Sequence, residues 1–562
     1  MDHDDSRCLG APEFSDPALA ECARQQGELA AWKKALASPS SAAAAVAGVG
    51  GDFAVALRER NGRCVLAVDR FAIRTLCYRV VDGQLRFAAR ADELIDNPGN
   101  TNTELDPQAI FDYFYFHVIP SPRTIFNSVQ RLPPGHVAVF EDGRLTIARY
   151  WTPSFSEPAR PSFDALRSEF RQLLGDAVGR QLDGGKPACF LSGGTDSSTI
   201  AGMIGQVAGR PAASYSIGFE AEGYDEMDYA RIAARHFNTE HHEYYVTPDD
   251  LVRSIAEVAG FHDQPFGNSS ALPAYYCARF AREDGVTRLL AGDGGDELFG
   301  GNSRYAMQRV FGWYRALPGA LRKGLMDPLF GLPVASRLPL VRKAASYIRQ
   351  ANTPMPDRLQ NYNLLLRLGL DEVLTPGFRS QVAQQAPLAA QREVWAATGN
   401  VAEINAMLAY DWRFTLAESD LPKVRGSTEL AGVTVGYPFL DRALVDFSLR
   451  LPAAYKLKGL KLRWFFKEAL RGFLPDEIIT KKKKGFGLPF GVWVNRHAAL
   501  KQLAVDSLRS FAGRGIVRAD FIDTLLDTHL PAHPGYYGEM VWIMMMMEQW
   551  MQRHAPRYAV HA

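Results

Sequence analysis

The period of the apolar positions changes once along the chain, and that change divides it. From Gly51 onward short apolar runs recur: Phe53–Leu57, Cys64–Val68, Leu76–Val81 and Leu85–Ala89. Turn pairs Asn61-Gly62 and Asp82-Gly83 separate them, which is the grammar of hairpins. A further hairpin joins His136–Phe140 to Leu145–Ile147 across Asp142-Gly143. Asp106-Pro107 predicts a helix start, with proline in the first turn. Residues 15–47 are alanine-rich and predict helix or loose order. The N-terminal part therefore reads as mainly a β-sheet unit.

A Pro/Ser stretch at 152–162 breaks the pattern and predicts an interdomain linker. Beyond it the period alternates between strand and helix. A helix is predicted at 163–182, strands at 188–191, 213–219 and 287–291, and helices at 228–237 and 271–284. Alternation of this kind predicts a doubly wound parallel sheet. From about residue 305 the pattern is largely helical. The expected division is a β-rich unit over 1–151, a linker over 152–162 and a second unit over 163–562. The fold class is α/β, with a helical C-terminal extension.

The 562 residues suffice for several cores. With 63 Lys+Arg against 62 Asp+Glu the net charge is +1, which argues against a protein held mainly by nucleic-acid phosphates. No apolar run is long enough to span a bilayer, so membrane insertion is not expected. The acidic start, Met1-Asp2-His3-Asp4-Asp5, reverses the basic leading region of a secretory signal. Six cysteines without metal-like spacing predict a reduced, cytoplasmic setting.

Candidate chemistry concentrates in two glycine loops. Ser192-Gly193-Gly194-Thr195-Asp196-Ser197-Ser198 follows an apolar strand and precedes a helix expected to begin near Ser198. Gly193 and Gly194 let backbone N–H groups approach an anion, the serines add hydroxyl donors, and the helix adds its positive end. The Gly-Lys-Ser/Thr ending of a Walker loop is absent. Asp196 suits a Mg²⁺ ligand, because Mg²⁺ takes oxygen donors and bridges phosphates. The second loop, Gly292-Asp293-Gly-Gly-Asp296-Glu297, ends the strand at 287–291. Two carboxylates there are costly without a cation. Asp296 is the second expected Mg²⁺ ligand, and Asp293 a candidate general base. The lysine run 481–484 supplies a cation for a leaving pyrophosphate.

In this order, SGGTDSS, Tyr224-Asp-Glu226, GDGGDELFGG, Pro438-Phe-Leu-Asp441 and Lys481-Lys-Lys-Lys-Gly-Phe486 resemble the asparagine synthetase family, in its ATP-pyrophosphatase synthetase domain. Gly51–Ala54, Val68–Tyr78 and Arg131–His136 resemble the later half of that family's glutaminase domain, which has an N-terminal-nucleophile (Ntn) hydrolase fold. The resemblance implies ATP and Mg²⁺ as cofactors and formation of an acyl-adenylate that an amine then attacks. It assigns Leu191, Ser192, Gly193, Gly194, Asp196, Ser197, Ser198, Ile217 and Gly292 to ATP, Asp196 and Asp296 to the metal, and Asp293 and Lys483 to catalysis.

The sequence also departs from that family. Position 2, where the family has its cysteine nucleophile, is Asp2. Cys8-Leu-Gly10 has the right look, but only 42 residues separate Cys8 from Gly51 and the glutamine-binding segments are missing. Live glutaminase chemistry is therefore not expected. Thr434 and Gly436 replace a charged pair before Pro438–Asp441, which suggests an enlarged, less charged acyl pocket. Among family members lacking the cysteine, the chain looks most like lasso-peptide macrolactam cyclases. That likeness implies a precursor peptide as substrate, with a leader-peptide-binding protein and a peptidase as pathway partners. Asparagine formation from free ammonia and β-lactam closure are the alternatives.

Overall fold

The computed structural model describes residues 5–37, 41–95, 105–157, 162–322, 339–482, 485 and 487–560. Asp2 and Lys483 lie outside these. The N-terminal part is β-rich, as the apolar runs predict. Strands β1 (Arg7–Phe14), β2 (Val49–Arg58), β3 (Cys64–Val68), β7 (His136–Glu141) and β8 (Arg144–Arg149) form one antiparallel sheet in the order β1-β2-β3-β7-β8. Strands β4 (Cys77–Val81), β5 (Gln84–Ala88) and β6 (Gln130–Arg131) form a second sheet, ordered β5-β4-β6. Asp106 caps the helix Pro107–Phe116, its carboxylate accepting from Gln108 N. The alanine-rich stretch folds as helices Pro17–Gln26, Glu28–Leu36 and Ala42–Ala47. Strand β1 was not foreseen, because its RCLGAPEF sequence does not alternate.

Trp151, at the end of the first unit, and Phe155 of the expected linker pack onto the second unit's core, and Ser156 N donates to Leu449 O at 3.1 Å. The first unit is thus tied to the second across a fixed contact. Its Asp69 anchors the same junction, accepting from the backbone of Phe71, Ile73 and Arg74. Burial pushes that carboxyl up to about 7. The turn it shapes presents Arg70, 2.8 Å from Asp446, and Phe71, which packs on Trp412.

The second unit holds a parallel sheet in the order β11-β10-β9-β12-β13: β9 (Ala188–Phe190), β10 (Ala213–Phe219), β11 (Glu240–Val246), β12 (Arg288–Leu290) and β13 (Thr434–Gly436). Helices Phe163–Gln181, Thr195–Ala208 and Ala271–Glu283 connect and cover it. The strand order reverses about β9, so β9 and β12 are neighbours although some 100 residues apart. Open α/β sheets bind ligands outside strand C-termini at such a switch. The helix Pro534–His554, buried almost all round through Met544–Met547, centres the C-terminal core. Among the described residues no helix is long and apolar enough to cross a membrane.

Cys8 sits on β1, and its side chain packs against the cluster of Trp32, Val55 and Leu57. Burial, with the Glu28 carboxylate nearby, pushes its thiol up to about 12. A thiol so placed is not a nucleophile at neutral pH. Cys8→Ala should therefore change neither turnover nor glutamate release from glutamine. A glutaminase activity lost in that variant would contradict this placement.

Candidate functional site

The C-terminal ends of β9 and β12 open into a cavity of about 1010 Å³. Its floor is the loop after β9. Leu191 continues the strand, its N–H donating to Tyr215 O at 2.9 Å. The helix then begins at Thr195, three residues earlier than the serine pattern suggested, so Asp196 lies in its first turn. Ser192 and Ser197 hydroxyls pair at 3.0 Å, and Ser192 N donates to Ser197 Oγ. These two serines line the cavity, but Ser198 is fully buried and does not. Gly193 is at φ 67°, and a Cβ there would strike the backbone of Tyr229 and Ala230, so only glycine fits. One end of the cavity is apolar, walled by Phe190, Tyr215, Ile217, Pro273, Ala274 and Cys277.

Asp196, Gly292, Asp293 and Asp296 all line this space. Asp196 and Asp296 converge on one cation, Arg463, which pattern reading missed. Arg463 Nη1 lies 2.5 Å from Asp196 Oδ2 and 2.8 Å from Thr195 Oγ1, and Nη2 contacts Asp296 Oδ1. Burial alone would lower the guanidinium's pKa, but the two carboxylates outweigh it and raise it. A Cβ at Gly301 would overlap Asp296 and Arg463, so glycine makes the room for this pair. Two hard oxygen donors directed at one point fit a Mg²⁺ ion, which takes one or two carboxylates and completes its shell from phosphates and water.

Asp293 faces a second cation. Lys423 Nζ lies 3.6 Å from Asp293 Oδ1 and 3.1 Å from Asp420 Oδ1. Burial raises the Asp293 carboxyl above the usual range, against the pull of Lys423. Lys423 is held charged, since Asp420 and Asp293 outweigh its burial. Lys423 and Asp420 were also missed. Asp420 ends the π-helical stretch Trp412–Asp420 and Lys423 lies in the first turn of the helix Leu421–Leu430, and only the fold brings them to the loop after β12.

From the lysine run, Lys481 is the residue seen at the glycine loop. Its Nζ lies 3.0 Å from Glu226 Oε2, 3.3 Å from Gly193 O, and over the Tyr229 ring. Lys482 also lines the cavity.

The expected enlargement at Thr434 and Gly436 is not found. Neither residue lines this cavity. A Cβ at Gly436 would meet Gln181 Oε1 and Leu290, so neighbouring side chains already fill that volume.

A pocket at the C-terminal ends of a parallel sheet, lined by paired carboxylates, lies where open α/β folds bind their ligands. Residues 169–552 match the asparagine synthase family, and residues 39–151 match the glutamine amidotransferase domain. The chain belongs to the asparagine synthase family, whose members are ATP-dependent carbon–nitrogen ligases. It is 25% identical over 509 residues to asparagine synthetase [glutamine-hydrolyzing] 1 of Bacillus subtilis, covering 89% of this chain and 77% of that protein. A putative asparagine synthetase [glutamine-hydrolyzing] of Mycobacterium tuberculosis is 27% identical over 514 residues, covering 89% and 76%. Amidase chyE of Penicillium rubens is 23% identical over 519 residues, covering 81% and 72%.

The glycine geometry gives a stability test. Gly301→Ala should lower the melting temperature by the equivalent of about 1–3 kcal/mol, as overpacking does. Gly312→Ala, in a helix with nothing near its would-be Cβ, should be neutral or stabilising. Equal melting shifts for both would refute the packing at Gly301.

Proposed function

We propose that the chain adenylates a carboxylate with ATP and passes the acyl group to an amine, the carboxylate being an Asp or Glu side chain of a precursor peptide and the amine that peptide's N-terminus. The product is a macrolactam, as in lasso-peptide biosynthesis. The observation that carries this reading is the contrast between the two units. The synthetase cavity is lined by Asp196, Asp293, Asp296, Lys423 and Lys481, while Cys8 sits half-buried against an apolar cluster with its thiol pushed up to about 12. An amine supplied by the substrate itself needs no glutamine.

In this reading the apolar end by Ile217 and Leu191 takes the purine, and the loop from Ser192 to Ser197 takes the phosphates. A carboxylate oxygen of the substrate attacks the α-phosphorus, the bond to the β-phosphate bridge oxygen breaks, and pyrophosphate leaves. Asp196 and Asp296 would hold Mg²⁺, which supplies charge neutralisation for the phosphate oxygens. Lys481, braced by Glu226, stands beside the loop where leaving-group charge develops. The amine nitrogen then attacks the acyl carbon, AMP leaves, and the amine's proton passes to Asp293. Lys423 opposes the burial that raises the Asp293 carboxyl and so favours the ionised form that can accept it.

The relatives named asparagine synthetase support a second reading, aspartate amidated by free ammonia. The two readings differ in what is consumed. Incubation with ATP and a cognate precursor peptide should give a product lighter by one water. Aspartate with ammonium should give asparagine instead if the second reading holds.

Residue roles separate the half-reactions. Asp196→Ala should abolish ATP–pyrophosphate exchange. Asp293→Asn should keep exchange and lose amide formation by about 10²-fold or more. Because burial raises the Asp293 carboxyl, amide formation should fall as pH drops through a midpoint above the usual carboxylate range. Exchange and amide formation falling together in Asp293→Asn would remove it from proton transfer.

A further inference from the structure

Arg463 is built into its position rather than resting there. It begins the helix Trp464–Ala469 in the left-handed region at φ 51°, a conformation that non-glycine residues adopt rarely. Its backbone N–H donates to Gly300 O at 3.2 Å, which fixes it to the end of the acidic loop. Its side chain is only 6% exposed. It bonds Thr195 Oγ1 and both oxygens of Asp196, at 2.6 and 2.5 Å, and it contacts Asp296. Thus one guanidinium holds the same carboxylate oxygens that a metal would need.

We propose that Arg463 is a resident counter-cation of the metal seat. It keeps Asp196 and Asp296 together in the nucleotide-free protein, and it yields at least one of them when Mg²⁺ arrives with ATP. The proposal rests on the reading of Asp196 and Asp296 as metal ligands given above. Its physical basis is simple competition. Without a cation the two carboxylates would repel and one would take up a proton. With the guanidinium in place the seat is charge-balanced, so a free divalent ion must displace a bonded cation to enter. Metal bound to a nucleotide brings phosphate oxygens as further ligands, and the displaced guanidinium gains those phosphates as new partners. The seat would then discriminate nucleotide-bound metal from free metal.

Arg463 also ends a hairpin. Strands Leu457–Lys458 and Lys461–Leu462 precede it directly, and Leu460, Lys461 and Leu462 line the cavity. Withdrawal of the guanidinium is therefore coupled to this wall of the cavity.

The test is Mn²⁺ binding to the full chain without nucleotide, with free Mn²⁺ read by electron paramagnetic resonance. Arg463→Gln should bind Mn²⁺ at least tenfold more tightly than the unaltered chain. Arg463→Lys should fall between them, since an ammonium keeps the charge but offers a single nitrogen in place of the guanidinium's fork. If the glutamine variant does not fold, the lysine variant alone decides. Unchanged or weaker Mn²⁺ binding in these variants would overturn the proposal and show that Arg463 only aligns the ligands. Asp196→Asn in the Arg463→Lys background separates the two readings: loss of the tighter Mn²⁺ binding supports the seat itself, whereas unaltered binding there overturns both the seat and the exchange.

Discussion

Two carboxylates at the ends of neighbouring parallel strands can share a small volume only if a cation stands between them. Asp196 follows β9, Asp296 follows β12, and Arg463 spans the two. Much of the local backbone follows from this constraint. The left-handed φ of Arg463 and the glycine at 301 place a guanidinium where a larger residue would collide. The same principle repeats beside it. Asp293 and Asp420 share Lys423, and Glu226 faces Lys481. These carboxylates are thus grouped around three cations: Arg463 between Asp196 and Asp296, Lys423 between Asp293 and Asp420, and Lys481 beside Glu226.

The N-terminal unit makes sense as a support for that arrangement. Its Arg131 reaches Glu418, which also binds Ser121 N at 3.1 Å and Arg413. Burial works to raise the Glu418 carboxyl, but the two arginines outweigh it and hold it ionised below the usual range. Glu418 lies two residues before Asp420, in the π-helical stretch Trp412–Asp420 that leads into the Lys423 helix. Trp412 donates from Nε1 to Glu297 O at 2.8 Å, next to Asp296. The segment that carries Asp420 and Lys423 is thus clamped by the N-terminal unit on one side and by the acidic loop on the other. A unit whose Cys8 is half-buried against an apolar cluster still fixes the position of the second unit's charged groups.

How legible this was depended on the range of the interactions. Hairpins and the β9 loop depend on neighbours in sequence, and their runs and turn pairs were readable. Strand β10 fell at 213–219 as patterned. Strand β11 was not seen, because EHHEYYV at a sheet edge carries polar residues on both faces. Strand β13 is three residues long, too short for a period. In the site, Asp196, Asp293 and Asp296 were legible, because glycine loops after apolar strands place them. Arg463 and Lys423 were not, because their meaning comes from contacts to Asp196, Asp296 and Asp293, each more than 100 residues away, and Asp420 gains its place only through Lys423. Ser198 was misread as cavity-facing because the helix begins at Thr195, which turns its side chain into the core.

The departure at Thr434 and Gly436 has a local explanation. Gly436 ends β13, and Gln181 and Leu290 occupy the volume its side chain would need. Neither Thr434 nor Gly436 lines the main cavity, whereas Asn268, Ser270, Lys423, Asp420 and Asp293 do. Asn268 is held by Ser419 Oγ at 3.0 Å, so this wall is fixed to the same Trp412–Asp420 stretch that the N-terminal unit clamps. The groups beside the acidic loop are therefore positioned by the 412–424 segment and its brackets rather than by the altered string before Pro438.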